Sequence, residues 1–242
     1  PHRGPTFLDF PLDVFGPSSG DVPSVDPAAS SGVAPDPGDV VALAALIAGA
    51  QRPAFIVGSD VYWDGAWDEL AAAAGALGVP CFFNGMGRGL LPADHALAFL
   101  RTRGLLKQRA AVVVVLGTPL DFRIGFGSFG SATVAHVVDA ESQRAGHIDV
   151  LTVVGNITAT LTGLADHAGA RVDHTDWIAE LRDAESRAAA GEVALMEADG
   201  DPIRPSRIYG ELRRRLERDA VTYERERLGR DRSIGFESFV GR

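Results

Sequence analysis

Four short apolar segments, each ending in a glycine or an aspartate, restrict this chain to very few folds. Helix-length stretches separate the segments, which cover residues 53–58, 79–85, 111–117 and 134–139. The third contains an unbroken apolar run from Val112 to Leu116, and a strand without polar alternation must be buried on both faces. A parallel sheet with crossover helices provides that burial. The sequence therefore predicts an α/β fold, a Rossmann-like parallel sheet with helices on both faces.

The remaining apolar patterns predict helices and one more strand. A fifth strand is expected over 148–154. The first predicted helix is capped by Asp39. The second covers 63–77 and is ended by Gly78 in a left-handed conformation. Further helices are predicted over about 95–109, after Gly155-Asn156, over 173–197 and through Arg218.

Charge and cysteine content exclude several classes of function. Acidic residues outnumber Lys and Arg by 32 to 23, so the net charge of -9 gives no general attraction to nucleic acid. The single cysteine, Cys81, excludes an internal disulfide and fits a reducing cytoplasm. No apolar stretch reaches the ~20 residues that cross a membrane. We therefore expect a cytoplasmic protein that binds neither nucleic acid nor membrane.

Composition divides the chain into five parts. Residues 16–38 are rich in Pro, Ser, Gly, Ala and Asp, which predicts a solvated linker. Within residues 1–15 before it, the segment 5–15 reads as one strand with its exit turn. A lone strand needs neighbours from a preceding domain, so the chain is expected to be a fragment. A core domain over 39–168 follows, then a helical connector over 169–219. Residues 220–242 carry no fold signal.

The candidate site lies where the predicted strands end, because ligands of open parallel sheets bind beyond the carboxyl ends of the strands. Three features stand there: the alternating glycines of 84–89, the segment 117–123 with Asp121 and Arg123, and Asp139. Glycines let backbone amides approach a phosphate, and an acidic side chain at a strand end can bind ribose hydroxyls. Each feature also has a structural interpretation, namely a tight turn, a surface ion pair and a helix cap.

Catalytic motifs do not occur in the sequence. There is no G-x-S-x-G, C-x-x-C or H-E-x-x-H pattern, and the six histidines show no metal-ligand spacing. The sequence therefore assigns neither catalytic nor metal-binding residues to this chain.

Several motifs, taken in order, resemble those of thiamine-diphosphate-dependent enzymes of the acetolactate synthase type. Residues 4–14 are similar to the family's G-P-V-x-x-D-x-P-x-D-V, and Ala50-Gln51-Arg52-Pro53 is similar to A-x-R-P. Residues 84–95 resemble the loop G-x-G-x-x-P-x-x-H, residues 117–123 resemble G-x-R-F-D-D-R, and residues 202–205 resemble P-I-x-P. The resemblance covers most of the chain.

The resemblance implies domain identities and cofactors. Residues 1–15 would end a pyrimidine-binding domain, 39–168 would form the central nucleotide-binding-like domain, and 220–242 would be an aberrant or truncated start of the diphosphate-binding domain. Thiamine diphosphate and Mg would bind the parent enzyme outside this chain, so the fragment alone would be inactive. FAD or ADP would bind the central domain at Gly58, Gly85, Met86, Gly117, Asp121, Arg123 and Asp139.

Two departures from the family pattern bear on that nucleotide. Gly155-Asn156 replaces Gly-Asp, and Pro119 or Leu120 replaces the first arginine of G-x-R-F-D-D-R. The changed arginine position weakens the expectation of flavin relative to ADP or an empty site.

The function implied by the resemblance is 2-keto acid decarboxylation and carboligation in branched-chain amino acid biosynthesis, by a homodimer or homotetramer. Two alternatives remain open at this point. One is an enzyme like 2-hydroxyacyl-CoA lyase or oxalyl-CoA decarboxylase, and the other is a non-catalytic nucleotide-binding or scaffold module.

Overall fold

A six-stranded sheet with every neighbouring pair parallel forms the centre of the molecule. The computed structural model describes residues 7–11, 13, 32–170 and 172–217. The strands are β1 (Pro53–Val57), β2 (Cys81–Phe83), β3 (Ala98–Phe99), β4 (Val112–Leu116), β5 (Thr133–Val138) and β6 (Leu151–Val154). The five strands predicted for the core domain are confirmed, whereas β3 was missed.

The strand order, β3-β2-β1-β4-β5-β6, creates a switch point between β1 and β4. The chain moves outward from β1 to β3 and then crosses back to lay β4 on the other side of β1. These two central strands pair over their whole length, from Pro53 opposite Val112 to Val57 opposite Leu116. Loops that leave them run in opposite directions, which in this sheet type creates the usual ligand crevice.

Helices cover both faces of the sheet, as predicted. The helices are α1 (Pro37–Ala48), α2 (Ser59–Trp63), α3 (Trp67–Leu77), α4 (Leu106–Arg109), α5 (Ile157–Asp166), α6 (Thr175–Glu197) and α7 (Pro205–Arg215). Buried side chains of α1, α3 and α5 pack on the face that carries Phe55 and Val114. The opposite face, with Ile56 and Val115, packs against α4 and the first turns of α6.

The helix predicted over about 95–109 is wrong. Residues 98 and 99 form the edge strand β3, and only Leu106–Arg109 is α-helical in this segment. The extended backbone is held from outside, because the Glu185 carboxylate of α6 accepts the amide hydrogens of Leu100 and Arg101 at 3.1 and 3.0 Å. Phe99 stacks on Phe82 of β2, with ring centroids 5.6 Å apart. Tertiary contacts thus override the local helical pattern.

Two other helix predictions need correction at their ends. Helix α1 is capped by Asp36 and not by Asp39, since the Asp36 side chain accepts the amide of Gly38 at 2.7 Å. Pro37 fits the first helical position, where no amide hydrogen is needed. The helix predicted over 63–77 is divided between α2 and α3, because Gly65 takes a left-handed φ of 69°. The left-handed stop at Gly78 is confirmed, with a φ of 63°.

The end of the predicted linker packs against the sheet. The amide of Asn156 donates to the carbonyl of Val33 at 2.7 Å, and a Cβ at Gly155 would lie 2.6 Å from the nitrogen of Pro35. Residues 7–11 are in no strand, although a strand was expected there. The expectations for 1–6, 14–31 and 218–242 fall outside the described residues, and the domain limits stay a prediction.

The predicted connector begins as part of the core. Trp177 and Leu181 of α6 are buried against the sheet, and the Trp177 indole donates to the carbonyl of Pro53 at 2.9 Å. The last helix ends at Arg215, three residues before the predicted Arg218. Helix α6 therefore belongs physically to the sheet domain over its first turns.

Candidate functional site

Three loops meet at the carboxyl edge of the central strands. They follow β1 at Gly58, β2 at Asn84 and β4 at Gly117. A Cβ added at Gly58 would lie 2.3 Å from the carbonyl oxygen of Gly117 and 2.4 Å from the Cβ of Thr118. Gly58 is therefore required by contact between the loops after β1 and β4, whatever else this edge binds.

The glycine loop packs on the end of β1. A Cβ at Gly87 would lie 2.3 Å from the carbonyl oxygen of Val57, and the amide of Asn84 donates to that same oxygen at 2.8 Å. Gly85 takes a left-handed φ of 54°, which favours glycine. The structure therefore explains the glycines of this loop by a tight turn, one of the two interpretations that the sequence left open.

Side chains tie the same loops together. The Asn84 amide group donates to the Thr118 hydroxyl at 3.1 Å, and both side chains are buried. The backbone amide of Met86 donates to the Ser59 hydroxyl at 3.2 Å. On the other side of the edge, the amide of Asp60 donates to the carbonyl of Gly117 at 3.0 Å. The switch point is thus crossed by hydrogen bonds within the protein.

Asp121 and Arg123 form a close ion pair. The Arg123 Nη2 lies 2.6 Å from Asp121 Oδ2, and the Arg123 amide also donates to this carboxylate at 2.9 Å. The side-chain hydrogen bond from Arg123 lowers the pKa of Asp121, and the same bond raises the pKa of Arg123. The surface ion pair considered at the sequence level is what the structure contains, with the Arg123 side chain 52% exposed.

Asp139 borders a surface cleft that none of the other predicted site residues lines. Asp139 follows β5, and this cleft of about 620 Å³ also includes Asp36, Asp39 and Glu141. None of the residues lining this cleft is a lysine or an arginine. The short turn Glu141–Gln143 that follows has Ala140, and not Asp139, at its N-cap position.

His136 belongs to this edge and was missed by the sequence reasoning. It is completely buried in β5, and its Nε2 donates to the carbonyl of Thr118 at 3.0 Å. Nδ1 has no hydrogen-bond partner. Burial lowers the pKa of His136, so the ring is held neutral beneath the loop after β4. The sequence signal that could have identified His136 is its position midway between Val134 and Val138, which places all three side chains on the same face of a buried strand.

The loop after Arg123 exposes two aromatic rings. Phe122 and Phe126 are 75% and 58% exposed. Phe126 has a left-handed φ of 54°, and its carbonyl accepts from His147 Nε2 at 3.1 Å. No sequence signal predicts this conformation, which is unusual for an aromatic residue.

The described residues offer no metal centre: they contain no group of three or more His, Cys, Asp or Glu side chains that could hold an ion. None of the helices in the described part of the chain is long and apolar enough to cross a membrane.

Comparison with known families gives one match over the sheet domain. Residues 40–164 match the family described as thiamine pyrophosphate enzyme, central domain. This stretch runs from the first turn of α1 to near the end of α5, so it contains all six strands.

Similar curated proteins extend the match beyond the domain. The chain is 39% identical over 223 residues to the acetolactate synthase large subunit IlvG of Mycobacterium tuberculosis, covering 90% of this chain and 40% of that protein. It is 30% identical over 148 residues to human 2-hydroxyacyl-CoA lyase 2, covering 58% of this chain and 23% of that protein. The chain thus spans well under half the length of these relatives.

Solved structures show the same fold. A thiamin diphosphate-dependent enzyme from Mycobacterium smegmatis superposes with a TM-score of 0.51 at 23% identity, over 64% of this chain and 31% of that one. Benzoylformate decarboxylase from Polynucleobacter necessarius gives a TM-score of 0.51 at 24% identity, over 64% of this chain and 32% of that one.

Proposed function

The chain belongs to the thiamine pyrophosphate enzyme family as a central domain, and we propose that its parent protein is an acetolactate-synthase-like enzyme. That enzyme would decarboxylate a 2-keto acid and transfer the carbanion equivalent to a second carbonyl. The observation that carries the proposal is the 39% identity to IlvG, which extends over 90% of this chain. The match therefore includes segments on both sides of the sheet domain.

We propose that the chemistry of the parent enzyme takes place in other parts of that protein. When bound, thiamine diphosphate supplies an electron sink for the carbanion, and we propose that Mg anchors its diphosphate. The described residues offer no ligand group for that ion. We propose that the thiamine diphosphate and Mg sites lie outside this chain, and we expect no turnover by the chain alone.

The part that we propose for this chain is to hold the flanking domains in a fixed relation. A fully parallel sheet that is buried on both faces is a rigid body, and α6 is anchored to it by the buried Trp177 and Leu181. The described N-terminal segment is anchored as well, through the bond from Asn156 to Val33. Segments that enter and leave the domain thus start from fixed points on the sheet.

A second candidate is a lyase that acts on 2-hydroxyacyl-CoA thioesters. It is favoured by the 30% identity to human 2-hydroxyacyl-CoA lyase 2. That match covers 58% of the chain, against 90% for IlvG, so the acetolactate synthase assignment is preferred. A third candidate function for the parent protein is a scaffold module without catalytic activity.

The test uses the complete protein that contains this chain, supplied with thiamine diphosphate and Mg²⁺. Acetolactate formation from pyruvate with release of CO₂ is the expected result. Cleavage of a 2-hydroxyacyl-CoA thioester without acetolactate formation would replace the proposal with the second candidate. Absence of both activities in a protein that binds no thiamine diphosphate would identify the scaffold module.

Location and assembly are also part of the proposal. We place the parent enzyme in the cytoplasm as a homodimer or homotetramer. Light scattering of the complete protein at several concentrations measures the assembly, and a monomer at all of them would contradict it.

A further inference from the structure

The family resemblance implies FAD or ADP in this domain, and either nucleotide would need protein groups that bind its phosphates. In dinucleotide-binding sheets, the diphosphate is held by free backbone amides at the glycine-rich turn and the following helix. The corresponding amides in this chain lie in the three loops around Gly58, Asn84 and Gly117.

Most of these amides already donate within the protein. Those at the strand ends are used by neighbouring strands: Gly58 donates to Leu116, Asn84 to Val57 and Gly117 to Val137, at 2.8, 2.8 and 2.9 Å. Those further along the loops are used as well, as the bonds from Asp60 to Gly117, Met86 to Ser59, Gly87 to Asn84 and Arg88 to Gly85 show. A phosphate would have to displace bonds that hold the loops together.

The space between the loops is filled too. Where a dinucleotide site uses glycine to let the backbone approach the pyrophosphate, Gly58 here lets the backbone approach Gly117. Gly87 likewise meets the carbonyl of Val57, an oxygen that would repel a phosphate. The space that these glycines leave is therefore occupied by protein backbone, and no room remains there for a phosphate.

Helix geometry and charge agree with this closure. Helix α2, which follows β1, has only five residues, too short to develop much of a dipole at its N-terminus. Arg123, the cation that the family pattern offers, is paired with Asp121. The cleft beside Asp139 has four carboxylates in its lining and would repel a phosphate.

We propose that the switch point of this domain is closed to phosphate-bearing nucleotides, and that its three loops form an interlock between β1, β2 and β4. The interlock consists of the Asn84–Thr118 and Ser59–Met86 bonds and the contact of Gly58 with Gly117. It keeps the architecture of a dinucleotide site and uses the donors of that site for stability. The proposal is independent of the parent's reaction, so each can fail without the other.

Hydrogen exchange of the chain without any ligand is the first test. Amide hydrogens in the three loops should exchange at least about 100-fold more slowly than in the unfolded chain, because a hydrogen-bonded amide exchanges only when its bond opens. The peptides to follow are those that contain Gly58, Asp60, Asn84, Met86 and Gly117. Exchange close to the unfolded rate in these peptides would overturn the proposal, since the donors would be free.

Titration with ADP and with FAD is the second test, by calorimetry on the wild type and on Arg123→Ala. No saturable heat, from a chain that melts cooperatively, is the expected result for both. Saturable binding that changes exchange in the peptides around 58, 84 and 117 would overturn the proposal. Saturable binding that leaves those peptides unchanged would place the nucleotide elsewhere and uphold the closed switch point.

A variant pair checks that the interlock is real. Ser59→Ala removes the acceptor of the Met86 amide, and exchange of that amide should rise at least about tenfold, as expected for a lost hydrogen bond of ordinary strength. Thr162→Ala, which removes a hydroxyl bonded to its own helix, is the control and should leave the Met86 amide unchanged. An unchanged Met86 amide in Ser59→Ala would contradict the interlock.

Discussion

The switch point and the outer edge of the sheet are both closed by hydrogen bonds between distant segments, yet the two closures differ in charge. At the switch point the partners are backbone amides, carbonyls, an asparagine and two hydroxyls. At the outer edge the single carboxylate of Glu185 accepts from the amides of Leu100 and Arg101, from Thr102 and from the Arg101 guanidinium.

The difference follows from what each region must join. The loops at the switch point approach to backbone contact, so only glycines and short neutral groups fit between them. Helix α6 lies a side chain's length from β3, and a buried carboxylate bridges that gap. A buried carboxylate is stable only while all its donors are present. The stability of the outer edge should therefore depend on a single residue, Glu185, whereas many residues contribute to the stability of the switch point.

Gly58→Ala should cause the largest loss and tests whether steric contact dominates at the switch point. The new Cβ would meet backbone at 2.3 Å, so we expect a loss of about 3 kcal/mol in the free energy of unfolding. Urea denaturation measures it. Gly75→Ala in α3 is the control: nothing lies within 4 Å of its Cβ, and stability should rise by about 0.5 kcal/mol. Equal effects would contradict the steric account.

Glu185→Ala should cost about 2 kcal/mol, because two backbone amides and a hydroxyl lose their acceptor. Glu185→Gln keeps one carbonyl oxygen and should lose less. Urea denaturation of both variants separates charge from hydrogen-bond number. If alanine and glutamine were equally tolerated, the outer edge would not depend on this residue.

Asn84→Ala should cost about 1 kcal/mol through loss of its bond to Thr118. The pair is best measured as a cycle with Thr118→Val, in which the double variant should lose little more than either single variant. Strict additivity would show that the two side chains do not act together across the switch point.

A fall in pH should weaken the switch point before the outer edge. His136 has a lowered pKa in the folded state, so below pH 6.5 the unfolded chain binds the proton first and stability falls. Burial opposes ionisation of Glu185, but its hydrogen bonds outweigh this and lower its pKa, so its contribution is lost only below about pH 4.5. Thermal melts between pH 7.5 and 5 should show a shallower slope for His136→Gln. The same slope in both proteins would exclude His136 as the cause.

Arg123→Ala should have the smallest effect. Its pair with Asp121 is half exposed, and such pairs contribute about 0.5 kcal/mol or less. Urea denaturation should barely distinguish the variant from the wild type. A loss above about 1 kcal/mol would make this loop part of the interlock.

The sequence by itself determined the sheet and the family. Buried parallel strands need uninterrupted apolar runs, and these runs located five of the six strands of the sheet. The left-handed stop at Gly78 was likewise predicted, from the preference of glycine for that conformation. Such signals are local, because each depends on a residue's own conformation or on the burial of one short segment.

Only the tertiary structure decided the rest. Edge strand β3 has two residues and exists because Glu185, 85 positions away from Leu100, holds it. Whether a glycine makes room for a ligand or for another loop depends on what lies opposite, and for Gly58 that is Gly117, far along the chain. An open nucleotide site and a closed switch point would therefore contain the same glycines and the same Asp121–Arg123 pair in their sequences. The two differ in a contact between the loops after β1 and β4, and these loops are far apart along the chain.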